Sequence, residues 1–399
     1  MAKIALLGFG VVGSGAAEVL THNLDLIAKR IGQDLTIKYI LDLRDFPDSP
    51  FGHLVTHDFN VIVNDPEVSI VAEMMGGSHP AFEFTMACLK AGKSVVTSNK
   101  EVVANFGAEL LKTAKENGVR YLFEASVGGG IPVIRPIVND LAANSIRSIS
   151  GILNGTTNYI LTQMETSGAD FSDALADAQK KGYAEADPTA DVEGIDAARK
   201  IVILAALAFG KLLDPNKIYA EGITRISRSD MKIARALGYT IKLIAHSEKI
   251  DGKILAMVSP RLVPLSNPLH SISDVFNGIM LDTDMLGQAM FYGRGAGKLP
   301  TASAIVADII DIAKSPEYDK SFPCLVGATD SEVASLDDYS CSWLLVLNAS
   351  TPANVKIKAS AVVDEKAAVI TETMSEREMK ALRLTLGDAL VSAIRILDS

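Results

Sequence analysis

The stretch covering residues 178–200 concentrates charged side chains directly in front of an apolar segment. The acids that precede the closing Lys200 are Glu185, Asp187, Asp191 and Asp196. Residues 201–210 are apolar apart from a closing glycine. A helix through this segment places Asp196 and Lys200 one turn apart on one face. We expect Pro188 to end the preceding helix and Asp191 to cap the new one.

Two interpretations of the Asp196–Lys200 spacing follow. A solvated ion pair at this spacing contributes only ~0.3 kcal/mol and carries no chemistry. The wholly hydrophobic run after Lys200 instead favours a buried helix whose first charges line a cleft. A buried ammonium needs a carboxylate beside it, and that arrangement also tunes a lysine for proton transfer.

A glycine-rich segment near the start of the chain predicts a nucleotide site. The apolar run 3–7 has the composition of a buried parallel strand, and a helical pattern covers 14–31. Between them the sequence reads Gly8, Phe9, Gly10, Val11, Val12 and Gly13. Such glycines permit a tight turn and close approach of backbone to a pyrophosphate, although a purely structural turn is the alternative.

The second predicted strand, 35–41, ends at residues that could bind the adenosine ribose. Asp42 would suit the free 2′-hydroxyl of NAD, whereas Arg44 could hold the 2′-phosphate of NADP. The choice between NAD and NADP stays open at this point.

Strands then alternate with helices up to about residue 124, a pattern that predicts a doubly wound parallel sheet. Ser98 and Lys100 fall at the carboxyl end of one such strand, where ligands bind. Lys100 could simply be an ordinary residue at the start of a helix, with no catalytic role. Because cations are disfavoured at a helix N-terminus, we favour a catalytic task.

Two later segments also have a structural and a functional interpretation. Glycines 128–130 could be a hinge between domains. Asn154 and Gly155 could form a hairpin turn, or they could open a helix whose free N–H groups receive a carboxylate.

The acidic stretch resembles the signature of the homoserine dehydrogenase family. Every constrained place of that signature is filled by Ala178, Gly182, Tyr183, Ala184, Asp187, Pro188, Asp191, Val192, Gly194, Asp196 and Lys200. The resemblance extends to about Pro316. It implies NAD(P)H-dependent reduction of L-aspartate 4-semialdehyde to L-homoserine, on the route to threonine and methionine, by a monofunctional enzyme.

The resemblance also implies roles for individual residues. Lys200 would be the proton donor, oriented by Asp196, and Lys100 would hold the carbonyl oxygen beside the nicotinamide. The expected substrate residues are Glu185, Asp191, Tyr183, Thr156 and Asn154. The loop at Gly295 would cover the cofactor. Main-chain oxygens expected to hold a monovalent cation, typically sodium, belong to Glu124, Val127, Gly129 and Ile131.

The expected architecture has three domains. A Rossmann-type α/β domain would comprise 1–130 plus 296–316, an α+β catalytic and dimerisation domain 131–295, and a small α+β domain 317–399. The last resembles a degenerate ACT module, with predicted strands at 343–347, 368–371 and 392–397 and a helix at 376–391. Its first turn, 348–352, lacks the glycine usual for effector binding, so a structural or dimerising role is as well supported as feedback by threonine.

Composition limits the alternatives. The net charge of −10 argues against nucleic acid or an anionic membrane as partner. The family resemblance implies a small-molecule substrate and a homodimer or homotetramer. Three cysteines, Cys88, Cys324 and Cys341, favour a reduced cytoplasmic compartment. Cys88 falls inside a predicted helix, which disfavours thiol-dependent aldehyde chemistry. The rival hypothesis is a non-catalytic regulator that senses NAD(P).

Overall fold

The computed structural model describes residues 2–317, 322–323, 325–348 and 355–397. The chain forms two compact units. The first comprises Met1–Ser145, Val202–Pro215 and Gly293–Gly327, and the second comprises Ile146–Ile201, Asn216–Tyr292 and Ala328–Ser399.

Strands and helices alternate in the first 145 residues. In chain order they are β1 (Ala2–Leu7), α1 (Val11–His22), α2 (Leu24–Ile31), β2 (Leu35–Leu41), β3 (Val55–Thr56), α3 (Phe59–Val63), β4 (Val68–Glu73), α4 (Ala81–Lys90), β5 (Ser94–Thr97), α5 (Lys100–Glu116) and β6 (Tyr121–Leu122).

From residue 146 onward the described elements mix long antiparallel strands with helices. They are β7 (Ile146–Ile152), α6 (Gly155–Ser167), α7 (Phe171–Lys180), α8 (Thr189–Val192), α9 (Ile195–Phe209), β8 (Lys211–Leu212), β9 (Tyr219–Ala220), α10 (Arg228–Ala236), β10 (Tyr239–Ile250), β11 (Lys253–Pro264), β12 (Phe276–Thr283), β13 (Gln288–Arg294), α11 (Lys298–Lys314), β14 (Val326–Gly327), β15 (Ser340–Cys341), β16 (Trp343–Leu347), β17 (Ile357–Val363), β18 (Lys366–Thr371), β19 (Met374–Ser375), α12 (Glu376–Leu386) and β20 (Leu390–Ile396).

The first unit is built on a six-stranded parallel sheet with the order β3-β2-β1-β4-β5-β6. Its central strand carries Ile4, Ala5, Leu6 and Leu7, all fully buried. The strand order reverses between β1 and β4, and parallel sheets bind ligands at the carboxyl ends of strands beside such a switch point. The predicted doubly wound parallel sheet is confirmed.

Helix α11 belongs to the core of the first unit, although it comes late in the chain. Ile305 and Ile309 are fully buried and join the cluster that contains Ile4 and Leu6. Close packing against α1 depends on Gly15. A Cβ there would lie 2.8 Å from the Lys298 carbonyl oxygen.

The second unit contains a ten-stranded sheet that includes the C-terminal strands. Its main path runs β13-β12-β7-β10-β11-β20-β16-β18-β17, and β9 pairs with β11. The junction is the parallel pairing of β20 with β11, in which Arg395 lies opposite Arg261. The predicted small C-terminal α+β region is present, and its strands continue the sheet of the preceding segment. The predicted three-domain division stays a prediction, and 131–145 lie in the first compact unit.

Several predicted boundaries are wrong. The pattern over 14–31 forms two helices that meet at Asn23, and α12 ends at Leu386 because Gly387 adopts a φ of +49°. Cys324 and most of the predicted first turn of the C-terminal region, 349–352, lie outside the described residues. Within the described residues, every helix is too short or too polar to cross a membrane.

We expect Ile305→Ala to destabilise the first unit by about 2–5 kcal/mol, because it opens a cavity between α11 and the parallel sheet. Faster hydrogen exchange of the β1 and β4 amides would show this loss. Ile310→Ala, on the same helix but only partly buried, is the matched control and should cost about 1 kcal/mol. Equal exchange rates in the two variants would contradict the placement of α11.

Candidate active site

The Asp196–Lys200 pair is buried. Both residues lie on α9, with Asp196 4% and Lys200 7% exposed. The Lys200 ammonium donates hydrogen bonds to Asp196 Oδ2 and to the Leu153 carbonyl oxygen, each at 2.7 Å. The solvated ion-pair interpretation is therefore wrong. The predicted burial is confirmed, and the cleft lined by these charges stays a prediction.

Asn154 connects the two acids of this cluster. Its side-chain oxygen caps α6 by accepting from the Thr157 N–H at 2.9 Å, so the hairpin interpretation of 154–155 is wrong. Its Nδ2 donates to Asp191 Oδ1 at 2.7 Å and to Asp196 Oδ2 at 3.0 Å. One amide therefore holds two carboxylates together beside the Lys200 ammonium.

Asp191 does not cap α9, contrary to the expectation from sequence. It lies within the short helix α8, and the chain then turns at Gly194, whose φ is +81°. A left-handed turn of this kind favours glycine, and it ends α8 before α9 begins at Ile195. The Asp191 carboxylate is thereby left to face Asn154 rather than the start of α9.

Of the other predicted substrate residues, Tyr183 and Glu185 lie in the loop after α7, and Thr156 lies in the first turn of α6. The Thr156 hydroxyl donates to the Tyr183 carbonyl oxygen at 2.7 Å, and the Tyr183 ring packs edge-on against Tyr159. Glu185 is exposed, with its carbonyl oxygen accepting from Gln179 at 3.1 Å.

The glycine turn after β1 has the shape needed for a dinucleotide. Gly8 has a φ of +91°, and a Cβ there would lie 2.9 Å from the Met74 carbonyl oxygen. A Cβ at Gly13 would run into the Gly8 carbonyl oxygen, whereas Gly10 faces open space just before α1 begins. Bare backbone N–H groups at a helix start suit a pyrophosphate, so residues 8–13 fit the predicted cofactor.

A pocket of about 510 Å³ lies beside this turn in the first unit. Asp42 and Arg44 line it, and Asp42 Oδ2 accepts from the Phe9 N–H at 2.8 Å. The Arg44 side chain donates to both Asp42 oxygens, at 3.0 and 3.2 Å, and lies over the Phe46 ring. Burial alone would raise the pKa of Asp42, but these hydrogen bonds outweigh it and lower the pKa to about 2.

Sequence reasoning missed Glu73, a buried carboxyl group at the end of β4. It is fully buried, and it accepts from the Thr97 hydroxyl at 2.5 Å and from the Met75 N–H at 2.7 Å. Burial raises the pKa of Glu73 to about 7. An acid at the end of a strand that is apolar apart from Ser69 was the available signal.

The end of β5 holds Ser98 and Lys100. Asn99 caps α5 by accepting from the Val102 N–H at 3.2 Å, and its Nδ2 donates to the Gly77 carbonyl oxygen at 2.7 Å. Lys100 is therefore the first residue of α5, at the same sheet edge as the glycine turn. The Ser98 N–H bonds the Glu73 carbonyl oxygen at 3.3 Å.

The residues predicted to bind a cation form a tight buried turn in the first unit. The Glu124 carboxylate accepts three N–H bonds from residues 133–135, at 2.6 to 2.8 Å. Gly129 has a φ of +56° and touches Gly295. Val127 and Ile131 are also buried. Among the described residues, no group of three or more His, Cys, Asp or Glu side chains is placed to hold a metal ion. A site made of main-chain oxygens would not require such a group.

A parallel sheet of this strand order, with a glycine turn at its switch point, defines a dinucleotide-binding protein of the Rossmann type. Two family models match the chain: "Homoserine dehydrogenase, NAD binding domain" over residues 8–124 and "Homoserine dehydrogenase" over residues 132–310.

Individual relatives agree with these matches. A homoserine dehydrogenase from Neisseria gonorrhoeae is 43% identical over 320 residues, covering 79% of this chain and 73% of that protein. One from Pseudomonas aeruginosa is 37% identical over 381 residues, covering 94% and 88%. The crystal structure of one from Thiobacillus denitrificans matches with a TM-score of 0.91 at 35% identity, covering 100% of this chain and 98% of that one. The chain belongs to the homoserine dehydrogenase family, a family of oxidoreductases.

Glu73→Gln should alter how stability depends on pH. Because the folded-state pKa of Glu73 is raised from 4.5 to about 7, an unfolded chain loses this proton before the folded chain does. Wild-type stability should therefore fall between pH 4.5 and 7 by up to ~3 kcal/mol from this group and then level off. In Glu73→Gln this contribution to the fall should be absent.

Urea unfolding at pH 5 and pH 8, followed by hydrogen exchange in β4 and β5, measures the difference. Glu109→Gln, an exposed acid on α5, is the control and should keep the wild-type pH dependence. If Glu73→Gln also keeps the wild-type dependence, the carboxyl group is ionised at neutral pH.

Proposed function

We propose that this chain interconverts L-aspartate 4-semialdehyde and L-homoserine with NAD(P)H, for threonine and methionine synthesis. The observation that carries the proposal is the buried Asp196–Lys200 pair beside Asp191, in a chain that also carries the dinucleotide turn. A positively charged amino group on the substrate accounts for a second acid next to an already paired lysine.

Reduction of an aldehyde requires a hydride at the carbonyl carbon and a proton at its oxygen. When bound, NAD(P)H supplies the hydride. Lys200 gives a proton from Nζ to the alkoxide oxygen, and Asp196 stabilises the ammonium that must be restored before the next turnover. In the reverse direction the neutral amine of Lys200 takes the hydroxyl proton of homoserine.

The remaining side chains orient and stabilise the substrate. Asp191 and Glu185 take the substrate ammonium, with help from Tyr183 and Thr156. Asn154 holds Asp191 in place through the 2.7 Å hydrogen bond from its Nδ2. Lys100 stabilises the developing negative charge on the carbonyl oxygen.

Arg44 supports NADP as the preferred cofactor. A carboxylate offers about four acceptor positions, and Asp42 receives hydrogen bonds from the Phe9 N–H and from the Arg44 N–H, Nε and Nη2. Little capacity remains for a ribose hydroxyl. The Arg44 side chain is 64% exposed, so its guanidinium is accessible to a 2′-phosphate at the pocket.

The predicted sodium ion belongs to the same proposal. The main-chain oxygens of 124, 127, 129 and 131 would hold it within the first unit. A homodimeric or homotetrameric assembly also stays a prediction.

Lys200→Met should lower kcat for homoserine oxidation by at least about a hundredfold, because no group of suitable proton affinity replaces the amine. Cofactor affinity should stay within twofold of wild type, since Lys200 lies outside the dinucleotide turn. Absorbance of reduced nicotinamide reports turnover, and protein fluorescence quenching reports cofactor binding. The control is Lys180→Ala, an exposed lysine in the same unit, with turnover expected within twofold.

Two outcomes would contradict this proposal. Wild-type protein that binds NAD(P) without oxidising homoserine would favour the nucleotide-sensing regulator. Wild-type turnover that persists in Lys200→Met would keep the reaction but remove Lys200 as the proton donor.

Arg44→Gln should raise the KM for NADP by about ten- to a hundredfold, because it removes a charge-assisted contact with the 2′-phosphate. The KM for NAD should change by less than threefold. Initial rates with each cofactor at saturating homoserine measure the ratio. Arg30→Gln removes an exposed charge from the same unit and should change neither KM. An unchanged KM for NADP in Arg44→Gln would contradict the assignment.

A further inference from the structure

Arg395, near the C-terminus, is a buried cation held by two carboxylates. It lies on β20 and is 3% exposed. Its Nε donates to Glu376 Oε1 at 2.5 Å, and its Nη1 donates to Glu221 Oε2 at 2.6 Å. The guanidinium also lies over the rings of Tyr219 and Trp343, at 4.9 and 4.7 Å from their centroids. The position of Glu221 is therefore fixed by the C-terminal region.

Glu221 is also held by hydrogen bonds next to β9 and β11 in the ten-stranded sheet. Its N–H donates to the Val258 carbonyl oxygen at 2.9 Å, directly after β9 pairs with β11. The Tyr219 hydroxyl donates to the same Glu221 Oε2 that Arg395 binds, at 2.8 Å. Both the backbone and the carboxylate of Glu221 are thus held.

The segment after Glu221 packs against the turn that carries the substrate acids. The Ile223 N–H donates to the Val192 carbonyl oxygen at 2.9 Å. A Cβ at Gly222 would lie 2.7 Å from the Glu193 Cα, so the two backbones touch there. A Cβ at Gly194 would lie 3.7 Å from the Glu221 carbonyl oxygen.

That turn sets the positions of Asp191 and Asp196. The Gly194 N–H bonds the Asp191 carbonyl oxygen at 3.0 Å, and the Gly194 carbonyl oxygen accepts from the Ala198 N–H at 2.9 Å in the first turn of α9. A shift of 192–194 would therefore move both carboxylates relative to the Asn154 amide between them.

We propose that Glu221 and Arg395 are positioning residues for homoserine turnover, which the C-terminal region supports by holding 221–223 against 192–194. This inference rests on the proposed function. Neither side chain touches substrate or cofactor. Each acts indirectly, by fixing the backbone between Asp191 and Asp196.

Glu376 provides the control that distinguishes an effect on the positions of Asp191 and Asp196 from an effect on the stability of the fold. It binds the same guanidinium and is 4% exposed, whereas the Glu221 side chain is 31% exposed, so the loss of Glu376 should disturb the ion cluster at least as much as the loss of Glu221. It lies at the start of α12, however, and its N–H bonds the Tyr339 carbonyl oxygen at 2.9 Å, away from 192–194.

The experiment measures Glu221→Gln beside Glu376→Gln in the full chain. We expect kcat/KM for homoserine to fall about tenfold in Glu221→Gln and less than twofold in Glu376→Gln, with the KM for cofactor unchanged in both. Tyr219→Phe, which removes one hydroxyl hydrogen bond to Glu221 and leaves the Arg395 ion pair in place, should give a smaller loss in the same direction. Equal losses in the two glutamine variants, or no loss in either, would overturn the proposal.

Hydrogen exchange gives a reading that does not depend on turnover. Exchange at the Ile223 and Ala198 amides should be faster in Glu221→Gln than in Glu376→Gln at matched stability. If wild-type protein did not oxidise homoserine, the proposed function would fail. The exchange data would still test whether Glu221 holds 221–223 against 192–194. Equal exchange in both variants would overturn it.

Discussion

The proposed substrate site depends on the pairing of Lys200 with Asp196. An ammonium removed from water costs several kcal/mol unless a carboxylate and further acceptors surround it, and Lys200 has both Asp196 Oδ2 and the Leu153 carbonyl oxygen. Leu153 directly precedes Asn154, whose amide joins Asp196 to Asp191. The same short segment thus fixes the ammonium, the second acid and the start of α6. A change in any one of these groups leaves a buried charge or donor without its partner.

The first unit depends on a different constraint, which is close approach of backbone to backbone. Gly8 and Gly13 bring the turn after β1 against itself and against the end of β4, where side chains have no room. Asp42, at the end of β2, binds the Phe9 N–H and so fixes the turn from the neighbouring strand. The turn is consequently held in shape by the protein, which lowers the ordering cost of binding a pyrophosphate.

Local patterns sufficed for much of this fold. Apolar strands alternating with helices predicted the doubly wound sheet, and the spacing of Asp196 and Lys200 before an apolar helix predicted a buried pair. The errors arose where one local sequence pattern is compatible with two local structures. Asp191 had the composition of a helix cap, but the left-handed turn at Gly194 leaves it inside α8. Glu73 was missed because its partner, Thr97, comes from another strand.

The C-terminal region shows why long-range contacts escape sequence reasoning. Glu221, Glu376 and Arg395 each have the type of an ordinary surface residue, and they meet only because β20 joins β11 in parallel register. A well-packed apolar cluster of similar volume is often as stable as a buried ion cluster. An ion cluster differs in that its hydrogen bonds fix direction as well as proximity. Here Arg395 and Tyr219 together orient Glu221. The direction of the Glu221 backbone in turn determines how residues 222–223 pack against 192–194. This ion cluster is therefore suited to fixing the geometry of Asp191 and Asp196 rather than to adding stability.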